Sequence, residues 1–114
     1  YSSAASDVYK RQSMDRIKQF HQDHQWSHHH NAKDLAISIV LEASELLEDF
    51  QWVDAQTGVD QNLDNIKEEL ADVLIYAYTL ADRLDLDIDE IIADKLEKNL
   101  IKYPIPDNQH REDS

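Results

Sequence analysis

The chain has 114 residues, 41% of them hydrophobic, which suffices for one domain with a modest core. Acidic residues outnumber basic ones 24 to 11, a formal charge of −13, and no basic stripe interrupts the excess, so nucleic acid is not an expected partner. The absence of cysteine excludes disulfides and thiolate zinc sites, and a single glycine, Gly58, leaves little room for an all-β fold or a phosphate-cradling glycine loop. No apolar run approaches a membrane span and no secretory-type segment opens the chain; the expectation is no membrane partner and a cytoplasmic protein.

In chain order, YSSAASDVYKRQ carries no helical pattern and precedes the one methionine, Met14, while DVYKRQ resembles a translated sequencing-library adapter. Residues 1–13 are therefore expected to be a non-native or disordered leader. A first helix is expected from Met14 to about Trp26, with Ile17, Phe20 and His24 on one side. SHHHN breaks it. Asp34 then serves as N-cap or first-turn residue of a second helix reaching about Trp52. Residues 53–62, with Gly58, read as a loop, and a third helix runs from about Leu63 to Leu84. An acidic connection around Asp85 to Asp89 leads into a fourth, Ile88 to Tyr103, which stops before Pro104. The reading is all-α: one helical domain over 14–104 and a polar tail over 105–114.

Positions three and four apart share a helix face. On the second helix Leu35, Ile39, Ala43, Leu46 and Phe50 form an apolar arc; Glu42, Glu45 and Asp49 run along its edge, and Glu48 points further towards solvent. On the third, Leu63, Ile66, Leu70, Val73, Leu74, Ala77 and Leu80 form the core face, with Glu69, Asp72 and Tyr76 beside it. The pattern is Glu42-x-x-Glu45, 23 residues, then Glu69-x-x-Asp72. Antiparallel packing would bring the four carboxylates together, where they repel and lose solvation unless a cation joins them. An all-oxygen set suits magnesium or manganese. Acidic pairs at this spacing also occur on solvated faces; here each pair borders an apolar arc.

Lys95, Asn99 and Lys102 share one side of the fourth helix and Tyr103 closes it. A solvated lysine face commonly has this spacing, but the same groups can meet phosphate oxygens. Trp26, Trp52, Tyr76 and His30 are candidates for stacking or contacting a base, against core packing as the common role of a lone aromatic. His28, His29 and His30 invite a zinc reading, but consecutive residues seldom converge on one ion.

These motifs, with LAISIVLEASELLEDFQW, EELADVLIYAYTLA and KLEKNLIKYP, resemble the all-α nucleoside triphosphate pyrophosphohydrolases, specifically the MazG-like and small dCTP pyrophosphatase branch, over about residues 17–104. The resemblance implies a four-helix bundle completed by homo-oligomerisation, as a homodimer or homotetramer. It implies magnesium, with manganese a possible substitute, on Glu42, Glu45, Glu69 and Asp72. It also implies cleavage of a nucleoside triphosphate between the α and β phosphates, giving a monophosphate and pyrophosphate. Glu45, with Glu42 beside it, is the expected water activator. Lys95 and Asn99 are expected on the phosphates, with Lys102 and Tyr103 on the same side. Trp26, Trp52 and Tyr76 are expected around the base, with His30 and Lys33 nearby. His24 stands where relatives often carry arginine, and Ile17 where the dCTP-specific branch can carry histidine. The expected substrate is dCTP or a modified pyrimidine deoxynucleotide. A non-catalytic helical interaction or antitoxin-like module is the competing reading. A redox carboxylate-bridged bundle ranks last, for want of Glu-x-x-His pairs on helices two to four.

Overall fold

Residues 3–25 and 31–107 are described by a computed structural model, with side chains from residue 12 onward. They form four helices: α1 Ser3–Asp23, α2 Ala32–Glu48, α3 Ala55–Arg83 and α4 Ile88–Lys102, with no strand among the described residues. The first helix begins well before Met14. Residues 3–13 contain neither glycine nor proline, so nothing in them stops a helix that Met14 onward already sustains. It ends three residues short of the expected Trp26, where Gln25 takes a left-handed φ of 58° and donates its N–H to the Gln22 carbonyl.

Asn31 rather than Asp34 caps α2, its side chain accepting the Asp34 N–H at 2.8 Å. Asp34 sits in the first turn, where a negative charge meets the positive end of the helix. The helix stops at Glu48 through a run of tight turns that ends on Trp52, at φ 71°.

The expected loop over 53–62 is largely helix. Asp54 caps α3 by accepting the Thr57 N–H at 2.8 Å, and the chain turns helical from Ala55. Gly58 is there for proximity, not for a turn: a Cβ would lie 2.5 Å from Phe50 Cδ1, so only glycine lets the α3 backbone close over that ring. Asn62 (φ −125°, ψ 21°) kinks the helix, and its side-chain amide donates to the Asp49 carbonyl at 2.7 Å. This bond ties the kink to the end of α2.

At the far end of α3, Asp85 adopts φ 56°, Leu86 N–H donates to the Ala81 carbonyl and Asp85 N–H to the Asp82 carbonyl. This is the Schellman pattern, with an aspartate in the left-handed position usually given to glycine. Asp87 caps α4 by accepting the Glu90 N–H at 3.0 Å, and the helix ends just before Tyr103.

Helices α2 and α3 make the main interface, and α1 packs on α3, with an exposed Lys18–Asp82 ion pair at 3.2 Å. Among the described residues α4 has no extensive interface with another helix. The core is correspondingly thin. Among the described residues Leu35 and Ala81 are the buried apolar side chains, while Ile39, Leu46, Phe50, Ile66, Val73, Ala77 and Leu80 are half-buried. Ala43, Leu63, Leu70 and Leu74, expected inside, are exposed, since no other described helix covers them. Among the described residues no helix is long and apolar enough to cross a membrane.

Candidate functional site

The carboxylates meet because α2 and α3 run antiparallel. Glu42, towards the middle of α2, lies within the field of Asp72; Asp49, at its end, faces Glu69. Two acid pairs result. In the first, burial raises the Glu42 carboxyl above its ordinary value, helped by a hydrogen bond with Glu45 and by the charges of Glu45 and Asp72. In the second, a hydrogen bond with Asp49 pushes the Glu69 carboxyl up to about 7. Desolvation adds to this shift, as do the charges of Asp49, Glu45 and Glu48.

Each named influence on these two groups is an acid or burial, and no cation offsets them. Among the described residues, three side-chain oxygens are fully shielded yet make no hydrogen bond: Glu42 Oε2, Asp49 Oδ2 and Glu69 Oε2. Buried polar atoms ordinarily find partners, and an orphaned carboxylate oxygen is a costly one. The donor set is oxygen alone, which matches a hard divalent cation. No three described His, Asp or Glu side chains are already gathered tightly enough to cage an ion. Magnesium seldom requires such a cage, since it takes one or two carboxylates and fills its remaining positions with water and phosphate oxygens. The residues therefore fit that ion in chemistry.

The four expected ligands thus lie in one acidic cluster, with Glu42 and Glu69 half-buried and Glu45 and Asp72 exposed. Asp49 was on the predicted stripe without being assigned a role. It is only 9% exposed, faces Glu69, and is held by the Asn62 amide on its own carbonyl. Its signal was spacing alone: it stands four residues from Glu45 at the helix end.

Beside the cluster, a cleft of about 550 Å³ separates α1 from α3. Asp72, Ile75 and Tyr76 line it from α3. From α1 come Ser13, Arg16, Ile17, Phe20 and His21. The expected one-sided stripe of Ile17 and Phe20 is thus the cleft wall. Arg16 and His21 were missed, although their spacing from Phe20 and Ile17 puts them on the same side.

Other expected residues are not gathered here. Trp52 is 91% exposed, on a backbone conformation that bulky residues rarely adopt. Lys33 is exposed in the first turn of α2. Lys95, Asn99 and Lys102 ride on the unpacked α4, where the Lys102 ammonium lies 5.4 Å from the centre of the exposed Tyr103 ring. Trp26, His28, His29 and His30 lie outside the described residues.

Comparison with known proteins adds a family and a fold. A model of the MazG-like family matches residues 37–114. A dCTP pyrophosphatase 1 from Rattus norvegicus is 34% identical over 92 residues, covering 76% of this chain and 54% of its own length. The Homo sapiens dCTP pyrophosphatase 1 is 33% identical over 91 residues, covering 75% and 54%. The chain therefore spans about half the length of these curated relatives. Among solved structures, a pyrophosphatase from Archaeoglobus fulgidus superposes with a TM-score of 0.80 and 35% identity, over 85% of this chain and 94% of that one.

Proposed function

The chain belongs to the MazG-like family, and from that premise we propose that it is a magnesium-dependent nucleoside triphosphate pyrophosphohydrolase, acting on dCTP or a modified pyrimidine deoxynucleotide. The observation that carries the reading is the acid cluster between α2 and α3. Shielded, unpartnered oxygens on Glu42, Asp49 and Glu69 make sense in a protein that completes them with a cation. Glu42, Glu45, Glu69 and Asp72 would hold the ion, and manganese would serve in its place. When bound, the ion neutralises triphosphate charge and polarises the reacting phosphorus centre.

Glu45 is the exposed member of its pair, hydrogen-bonded to Glu42, and it is the side chain we assign to orienting and deprotonating the attacking water. Water then displaces pyrophosphate from the α phosphate, and the nucleoside monophosphate leaves. Asp49 supports Glu69 through the hydrogen bond between them. The α1–α3 cleft, with Tyr76 in its wall, would receive the base.

Among the described residues, the expected phosphate-binding side chains Lys95, Asn99 and Lys102 are not gathered at the cluster. Among the described residues α4 has no extensive interface with another helix, and it exposes Ile91, Ile92, Leu96, Leu100 and Ile101. An apolar surface of this extent favours association. A homodimer or homotetramer would cover it and allow Lys95, Asn99 and Lys102 to serve a neighbouring site.

The test is a panel of canonical and modified NTPs and dNTPs, incubated with magnesium, with manganese and with EDTA, products being separated chromatographically. Monophosphate plus pyrophosphate, lost with EDTA and in Glu45→Ala, is the expected result. No turnover of any nucleotide by folded protein would shift the assignment to a non-catalytic helical module.

A further inference from the structure

We propose that Arg16 is the residue that distinguishes cytosine from thymine and uracil; this rests on the pyrophosphohydrolase reading and deepens it. The cleft between α1 and α3 holds about 550 Å³, within the usual range for small-molecule sites. Its wall joins the acid cluster through Asp72, whose charge also acts on Glu42. A nucleotide with its phosphates at the cluster can therefore lay its base along the cleft.

The walls suit a base and not a phosphate. Ile17, Phe20 and Ile75 present apolar surface to a flat ring, and Tyr76 offers an aromatic one. Asp72 in the same wall repels phosphate oxygens that lack a bound cation. Arg16 is the fixed positive charge in this lining. In a chain with 24 acidic residues it forms no ion pair or hydrogen bond with the described residues, whereas Lys18, two positions on, is paired with Asp82. Its planar donors are thus available to a ligand.

A guanidinium fork is satisfied by two adjacent acceptors lying in one plane. Cytosine supplies them as O2 and N3. Thymine and uracil carry an N3–H donor between their carbonyls, so one of the two bonds becomes a donor facing a donor. A good bidentate contact of this type discriminates by roughly tenfold to a hundredfold. Lysine carries the charge without the fork, so Arg16→Lys separates geometry from electrostatics.

The experiment measures kcat/KM for dCTP and dUTP with wild type, Arg16→Gln and Arg16→Lys, all with magnesium. Alongside it, calorimetry measures binding of dCMP and dUMP to the same proteins. The wild type should favour dCTP at least tenfold, and both variants should bring the dCTP-to-dUTP ratio close to one. A ratio unchanged in Arg16→Gln, or fully kept in Arg16→Lys, overturns the proposal. Equal losses on both nucleotides overturn it too, because they describe a phosphate contact. If the wild type hydrolyses nothing, the pyrophosphohydrolase reading fails by itself. The dCMP-to-dUMP binding ratio then decides the role of Arg16 alone, with loss of a wild-type preference in both variants supporting it and no such loss refuting it.

Discussion

Replacing Gly58 by alanine probes the corner that carries Asp49 into the site. The added Cβ would stand 2.5 Å from Phe50 Cδ1, 3.1 Å from Cε1 and 3.2 Å from the Asp49 carbonyl oxygen. Carbon atoms rest against one another at about 3.5–4.0 Å, so the ring must retreat by roughly 1 Å. At an open helical site the same substitution would stabilise by about 1 kcal/mol through helix propensity. Crowding of a packed site costs about 1–3 kcal/mol. The net expectation is a loss of about 1 kcal/mol, read in urea unfolding as a lower midpoint at unchanged slope, and as a Tm lowered by about 4 °C. Phe50→Leu in the same background should relieve the contact, so the double-mutant cycle should show a coupling of about 1 kcal/mol. Because Phe50 follows Asp49 in the chain, moving the ring also disturbs the Asp49–Glu69 pair. Gly58→Ala should therefore raise the magnesium concentration needed for half-maximal activity. A more stable Gly58→Ala protein with no coupling to Phe50 would refute the packing argument.

The metal-free protein should lose stability as pH rises from about 4.5 to about 7. Glu69 holds its proton to about 7 when folded but releases it near 4.5 when unfolded, so the folded chain binds the extra proton in that window. Urea midpoints from pH 4.5 to 8 measure this; Glu69→Gln and added magnesium should each flatten the fall. Asp54, held low chiefly by the Thr57 N–H, acts in the opposite sense at the acidic end, its contribution fading as pH drops below 3.8. Asn62→Ala removes the donor on the Asp49 carbonyl and should cost about 1 kcal/mol in urea unfolding. Light scattering should find more than one chain per particle, and the melting temperature should rise with protein concentration.

What the sequence made legible was periodicity. The acid stripes follow from spacing on regular helices, and they lie together because α2 and α3 are antiparallel. The ends of α3 and α4 fell close to expectation, since Pro104 and the acidic connection bound them. Local chemistry was harder to read. Gly58 looked like a loop residue; only its tertiary neighbour, Phe50, explains a glycine inside a helix. Asn62 looked like the end of that loop and is instead a kink pinned to Asp49. Spacing put Asp49 on the stripe and Glu48 nearer solvent, but the extent to which Asp49 is buried depends on the turn that ends α2 and was not readable. Leu63, Leu70 and Leu74 were assigned to the core because hydrophobic periodicity names a face and not what covers it. The same limit applies to Lys95 and Asn99, whose shared side was readable while the distance from α4 to the acids was not.

The acid cluster and the thin core are two forms of one condition. Both leave groups without their natural partners within a single chain: shielded carboxylate oxygens without a positive charge, and apolar helix faces without a neighbour. A sequence optimised for monomer stability would remove both, since apolar residues of similar volume often serve as well as buried charge, and exposed leucines invite association. On the proposed function, Glu42, Asp49 and Glu69 stay shielded beside exposed Leu70 and Leu74 for the sake of what binds rather than of what folds. Carboxylates that repel one another when empty are those that gain most from a cation, because ion binding removes the repulsion as well as adding attraction. On the proposed function, the burial and the neighbouring acids that raise the Glu42 and Glu69 carboxyls are what a bound cation would offset.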